Sequence, residues 1–206
     1  MKTLLLIILT LLTTQTFAKE VKVLAFAGST RTDSYNQKLV DEAAKMAEQL
    51  GAKVTVIYLK DFPLPFYDAD LESKEGMPEN ARQLRKLMIE SDAIIIASPE
   101  YNRSVSAVLK NALDWASRDE DGGGSYTAFR GKVFALMSAS PGKKGGKRGL
   151  EHLRTIIEDV KGEIVSQEVT IPRAHEYFAE PKRGDNLVLR QELQKLLVVK
   201  DSSIQK

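Results

Sequence analysis

From residue 21 onward, short β-type apolar runs alternate with amphipathic helical stripes, and this alternation restricts the chain to very few architectures. Residues 21–27 form an apolar run closed by Gly28. The stripe that follows Ser34 carries Leu39, Ala43, Ala47 and Leu50 at helical spacing and stops at Gly51. Residues 53–59 (KVTVIYL) alternate and are rich in β-branched side chains, so they read as a second strand. Residues 61–77, with Pro63, Pro65 and Gly76, read as a long loop, and 78–90 as a helix with proline at its start. Residues 93–97 (AIIIA) form a strand buried on both faces. In 104–117, Val105, Val108, Leu109, Ala112, Leu113 and Ala116 define a helix. Residues 119–126, with three successive glycines, read as a mobile loop. A fourth strand is expected over 132–138, a helix over 149–160, a fifth strand over 163–170 and a last helix over 186–199.

Strands separated by helices imply a parallel sheet covered on both faces. Five strands in a chain of 206 residues fit one domain. The expected fold is a flavodoxin-like three-layer α/β/α sandwich with a five-stranded parallel sheet in the order 2-1-3-4-5. Such folds bind ligands beyond the carboxyl ends of strands 1 and 3. The unusual residues of this chain lie there, in three polar loops at 28–36, 98–102 and 138–142.

The first loop, GSTRTDSYN, joins a strand to a helix N-terminus, where first-turn N–H groups lack intrahelical partners and carry the positive end of the helix dipole. Ser29, Arg31, Ser34 and Asn36 add donors suited to a monophosphate held without metal. The plainer alternative is that Ser34 caps the helix and Arg31 is a solvated turn charge. Neither G-x-G-x-x-G nor a Walker A sequence is present. The second loop, Pro99-Glu100-Tyr101-Asn102, offers an aromatic face, an amide and backbone donors for the edge of a flat heteroaromatic ring, or is an ordinary strand-to-helix turn. The third continues into Lys143, Lys144, Lys147 and Arg148, which could accept a second phosphate-bearing ligand or form a solvated basic loop. Residues 62–67 (FPLPFY) could wall the site, contact a second subunit or form a local apolar cluster; Trp115 reads as a packing residue.

Several functions are excluded. The chain has no cysteine, hence no disulfide, thiolate metal site or Cys nucleophile. Two histidines, His152 and His175, make a multi-His metal site improbable. A net charge of +2 gives no indication of nucleic-acid binding. Ser138 and Ser140 lack the G-x-S-x-G elbow of a hydrolase. Residues 1–18 combine Lys2, an apolar run over 4–12 and a small-residue ending, the pattern of a secretory signal peptide cut after Ala18. That run is short for a membrane span; an uncleaved anchor is the alternative. Residues 19–206 then form the domain.

The segments GSTRTDSYN, FPLPFYDAD, SPEYN, VLKNALDWASR and SASPGKKGGKRGLEHLR, in this order, resemble the NADPH-dependent FMN reductase family, the flavodoxin-like quinone, chromate and azo reductases. The resemblance runs from about residue 21 to 154 and is loose beyond 170. It implies non-covalent FMN, with Ser29, Arg31, Ser34 and Asn36 around its phosphate and Tyr35 in the same cofactor-binding set. It places Pro99, Glu100, Tyr101 and Asn102 along the isoalloxazine, and Ser138, Ala139 and Ser140 near the ribityl chain and ring. It further implies NAD(P)H as co-substrate, small-molecule acceptors (quinones, azo compounds, metal oxyanions or free flavin), and a homodimer or homotetramer. No side-chain nucleophile is required, because the chemistry belongs to the flavin. Two features depart from the family: the leader, since these are typically cytosolic enzymes, and the charged triglycine segment 118–126. The rival function is an FMN-binding electron carrier without nicotinamide chemistry, which would normally be acidic and lack PEYN.

Overall fold

A computed structural model of the protein describes residues 20–164, 167–179 and 186–203. The leader, residues 1–18, lies outside them. The central sheet is parallel throughout: β1 (Lys22–Ala27), β2 (Lys53–Tyr58), β3 (Ala93–Ala97) and β4 (Val133–Ala139) stand in the order β2-β1-β3-β4. Beyond β4 lie β5 (Glu163–Ile164) and β6 (Val169–Ile171). The expected 2-1-3-4-5 order is therefore present, but the strand expected over 163–170 is two short pieces. Both pair with β4, and four residues separate them where β4 has two, so one continuous register is impossible.

The two sheet faces are packed differently. Under α1 (Tyr35–Gln49) and α7 (Leu187–Ser203) the sheet presents small side chains, among them Ala25, Ala27, Ala93, Ala97 and Ala135. Small residues let a helix approach closely, and α1 answers with Ala43 and Ala47. The opposite face carries Leu24, Phe26, Ile94, Ile96, Phe134 and Leu136 against α3 (Glu79–Glu90), α4 (Ala107–Ala116) and α5 (Lys147–Asp159). Strands β1, β3 and β4 are buried on both faces beyond Lys22, which is why they read as continuous apolar runs.

Two helices escape the sequence periodicity. Within 61–77, α2 (Ala69–Glu75) is capped by the Asp68 carboxylate and stopped by Gly76 at φ 76°. It has only Leu71 as a large apolar residue, so no stripe announces it. The other, α6 (Ala174–Ala179), follows β6. Trp115 is a packing residue, as expected, but at the centre of its own cluster with Met77, Ala81, Leu64 and Tyr67. Its indole N–H donates to the Pro65 carbonyl at 2.8 Å. The triglycine segment is tied down: Arg118 grips Glu72 through two nitrogens, Arg85 and Arg82 reach Asp119 and Glu120, and Arg118 forms an antiparallel bridge with Gly124. Among the described residues, no helix is long and apolar enough to cross a membrane and no His/Asp/Glu group could hold a metal ion.

Candidate active site at the carboxyl edge of the sheet

The first loop leaves β1 at Gly28, whose N–H donates to Ala97 at the end of β3 (2.8 Å). A Cβ there would lie 2.8 Å from Leu109, so only glycine lets α4 pack this close. Ser34 caps α1 by accepting the Gln37 N–H at 3.3 Å, and Ser29 Oγ accepts the Arg31 N–H at 3.3 Å. Arg31 is exposed, and its guanidinium has no partner among the described residues. The N–H groups of Tyr35 and Asn36 likewise meet no protein acceptor among them, as the first turn of a helix requires. Ser34 is thus a cap, as the plainer alternative has it, while the exposed Arg31 and the N–H groups of Tyr35 and Asn36 meet no partner among the described residues.

Asn36 departs from the expected role. Its amide donates to the Ala139 carbonyl (3.0 Å) and accepts from the Ala139 N–H (2.9 Å). The β3–β4 ladder ends with the Ser98 N–H on Met137, and the next pair of β4 groups on that side belongs to Ala139. Asn36 stands where a further strand residue would be, so it brackets the first loop to the third rather than aiming at an anion. Tyr35 is also engaged elsewhere: its ring stacks on Phe178 of α6 at 5.8 Å.

In the second loop Pro99 is buried, and Tyr101 to Ser104 closes a tight hairpin with both backbone hydrogen bonds at 3.0 Å. Asn102 and Arg103 hold φ of 51° and 69°, the left-handed pair of a type I′ turn. Tyr101 is exposed at the rim. The Glu100 side chain turns away from the crevice to α5. It meets Arg148 Nε and Nη2 at 2.9 and 2.6 Å and accepts the Gly149 N–H at 3.2 Å. Burial alone would raise its pKa, but Arg148 and the Gly149 N–H outweigh that and hold the carboxyl below the usual range. Arg148, grouped in sequence with the basic loop, is thereby neutralised.

In the third loop, Ser138 is fully buried and its Oγ has no hydrogen-bond partner. It lies beneath Gly146, where a Cβ would overlap Ser138 Oγ. Ser140 Oγ accepts the Gly142 N–H at 3.2 Å, and its backbone is held by Ile171 and Ala174. Of this trio Ser140 alone is partly exposed; Ala139 offers its backbone to Asn36.

The three loops therefore form one bonded unit. Asn36 joins the first to the third, Glu100 joins the second to α5, the helix after the third, and Ser106, the α4 cap, joins the helix after the second to the first through the Gly28 carbonyl at 2.6 Å. Ser106 was missed because the apolar stripe begins earlier, at Val105, and drew the expected helix start to 104; the Ser–Val–Ser sequence carried the capping signal. Beside the first loop, Phe62, Pro63, Leu64, Val108, Lys60 and Thr30 border a cleft of about 280 Å³, so the FPLPFY segment both walls a cavity and feeds the Trp115 cluster.

A doubly wound parallel sheet in the order 2-1-3-4-5, whose first-loop donors and rigid strand-3 loop share one edge, is an architecture of flavodoxin-like type, suited to flavin mononucleotide. The donor set fits that ligand: one cation, one hydroxyl and first-turn N–H groups for a dianionic phosphate, and backbone N–H groups at Glu100 and Asn102 that meet no acceptor among the described residues for a ring edge. The chain belongs to the NADPH-dependent FMN reductase family, whose profile matches residues 21–176. It is 38% identical over 136 residues to a NAD(P)H:quinone oxidoreductase of Solanum tuberosum, an alignment spanning 66% of each chain. It is 30% identical over 189 residues to a probable NADPH:quinone oxidoreductase of Oryza sativa, covering 89% of this chain and 88% of that one. The flavoenzyme FerB, NAD(P)H:(acceptor) oxidoreductase of Paracoccus denitrificans, superposes with a TM-score of 0.63 at 26% identity, over 85% of this chain and 98% of the other. The protein is accordingly an oxidoreductase with FMN as cofactor and NAD(P)H as reductant.

Proposed function

We propose that the protein catalyses the NAD(P)H-dependent reduction of quinones or similar small acceptors, such as azo compounds, metal oxyanions or free flavin. The observation that carries this reading is the bonded unit of three loops, which brings the open donors of the first loop and the rigid second loop to one edge of the sheet. Two-electron transfer between NAD(P)H and acceptor is the chemistry that FMN supplies when bound. The chain's own task is orientation and electrostatics. Ser29, Arg31 and the Tyr35 and Asn36 N–H groups would hold the phosphate, with Ser34 and Asn36 fixing that loop. Free N–H groups of the second loop would face the ring edge, where fixed donors stabilise developing negative charge without reorganisation. Pro99 and Glu100 fix that loop's path, Tyr101 and Asn102 form its rim, and of Ser138, Ala139 and Ser140 only Ser140 is exposed enough to meet the ligand.

The test is spectroscopic. Protein purified from residue 19 onward, with FMN added, should turn yellow and be bleached anaerobically by NADPH or NADH. A protein that takes up no FMN refutes the reading; a yellow protein that neither nucleotide bleaches is a carrier instead. We propose further that residues 1–18 direct export and are removed after Ala18, on the strength of their charge and apolar pattern. N-terminal sequencing of protein from its host decides this. A homodimer or homotetramer is the proposed assembly; Phe66, 77% exposed, suits a subunit contact, and light scattering reads the mass.

A further inference from the structure

Arg103 occupies a position its own backbone disfavours. It is the second central residue of the type I′ turn Tyr101–Ser104, where φ is 69° and glycine is the residue of least strain. An arginine there carries a conformational cost, and strain of this kind persists where a side chain is needed. The side chain has no evident structural use: Arg103 is exposed, and its guanidinium has no partner among the described residues. The turn itself is docked on α5. Ser104 Oγ lies 3.1 Å from His152 Nδ1, and a Cβ on Gly149 would lie 3.2 Å from the Ser104 carbonyl. The α5 end of the third loop carries Lys143, Lys144 and Lys147, all exposed and likewise without partners among the described residues. Glu100, the acid of this loop, is committed to Arg148. Glu151, exposed in the first turns of α5, makes no ion pair among the described residues. The result is a cationic rim that flanks the crevice from the second and third loops and is separate from the Ser29–Asn36 cradle.

We propose that Arg103, together with Lys143, Lys144 and Lys147 of the third loop and the start of α5, receives the phosphate groups of the nicotinamide dinucleotide, making Arg103 a binding residue for the reductant. The inference rests on the oxidoreductase reading above and adds where the second, polyanionic ligand is gripped. A planar guanidinium can meet phosphate oxygens through two parallel N–H groups, and the doubly hydrogen-bonded turn fixes where the Arg103 side chain begins.

The test compares the FMN-loaded wild type with Arg103→Gly and Arg103→Lys. Because glycine suits the turn, Arg103→Gly should leave the melting temperature unchanged or raise it by about 2–4 °C. It should raise KM for NADPH and NADH roughly five- to tenfold, with the effect on KM rather than kcat. KM for an uncharged benzoquinone and the FMN dissociation constant should stay within about twofold. Wild-type KM for NADPH should rise with ionic strength, and more shallowly in Arg103→Gly. Arg103→Lys, which keeps the charge and loses the planar fork, should give a nucleotide KM between those of wild type and Arg103→Gly. The proposal is overturned if nucleotide KM and its salt dependence match wild type, if FMN affinity falls by the same factor as nucleotide affinity, or if Arg103→Gly melts well below wild type. A wild type that binds no FMN, or is bleached by neither nucleotide, refutes the parent reading and this inference with it. A wild type that turns over normally beside an unaltered Arg103→Gly refutes this inference alone.

Discussion

Replacing Asn36 with alanine separates a bracket from a phosphate ligand. In the folded chain the Asn36 amide satisfies both backbone groups of buried Ala139, at 2.9 and 3.0 Å, and is itself 4% exposed. Alanine removes both bonds at once. Each buried group left without a partner costs about 1–3 kcal/mol, and the position at the sheet edge lets water recover part of it. The expected loss is about 2–4 kcal/mol, a large share of the roughly 5–15 kcal/mol that holds a domain folded. For a chain of this length that lowers the melting temperature by roughly 5–15 °C. Asn36→Asp keeps an acceptor for the Ala139 N–H but sets a carboxylate against the Ala139 carbonyl, so it should recover only part. The assay is urea and thermal unfolding of the FMN-free protein, where no ligand effect enters. An apo protein of wild-type stability whose FMN affinity nevertheless collapses would refute the bracket and restore Asn36 to the anion site.

Arg31→Ala, at an exposed side chain without described partners, should leave apo stability unchanged and weaken FMN binding roughly 10–100-fold in a fluorescence titration; unchanged affinity would remove Arg31 from the cradle. Ser138→Ala deletes a buried hydroxyl that has no partner, so it should stabilise the apo protein by up to about 1 kcal/mol, and a destabilised variant would mean that the hydroxyl is satisfied. Gly146→Ala, which puts a Cβ onto Ser138 Oγ at φ 89°, should lower the melting point, and the double variant with Ser138→Ala should recover part of it. Glu100 has its folded pKa depressed below 4.5, so the stability from its Arg148 and Gly149 contacts is complete above the unfolded value and lost as pH falls through the folded one. Urea midpoints of wild type and Glu100→Gln should therefore differ by a constant amount above about pH 5.5, and the gap should shrink as pH falls below the unfolded glutamate range; a gap that stays independent of pH down to acid unfolding would contradict the assignment.

The strands, their order and the identity of the three loops were legible because they rest on local signals. AIIIA at 93–97 is apolar on both faces, and the α1 stripe of Leu39, Ala43 and Ala47 declares its own buried side. Where local signal is thin, as in α2 with only Leu71, or where register breaks, as between β5 and β6, sequence periodicity had nothing to report. The family motifs placed Asn36, Glu100 and Ser138 at the cofactor, and the fold does bring their loops together. The Asn36 and Glu100 side chains are turned to other work, and the Ser138 hydroxyl is buried without a partner among the described residues. Asn36 reaches Ala139 across 103 residues, Ser106 reaches Gly28 across 78, and Glu100 reaches Arg148 across 48.

By itself the sequence determined that this chain forms a doubly wound parallel sheet with a phosphate-suited loop at its switch point, because hydrophobic period and turn chemistry act over a few residues. Only the tertiary structure decided which polar groups of that edge remain open to a ligand and which are spent holding the loops together. That choice follows from the register between β1, β3 and β4 and the seating of α1, α4 and α5 on them. A hydrogen bond between distant residues forms only when those long-range placements bring donor and acceptor within 3 Å or so, a condition that no local stretch of sequence encodes.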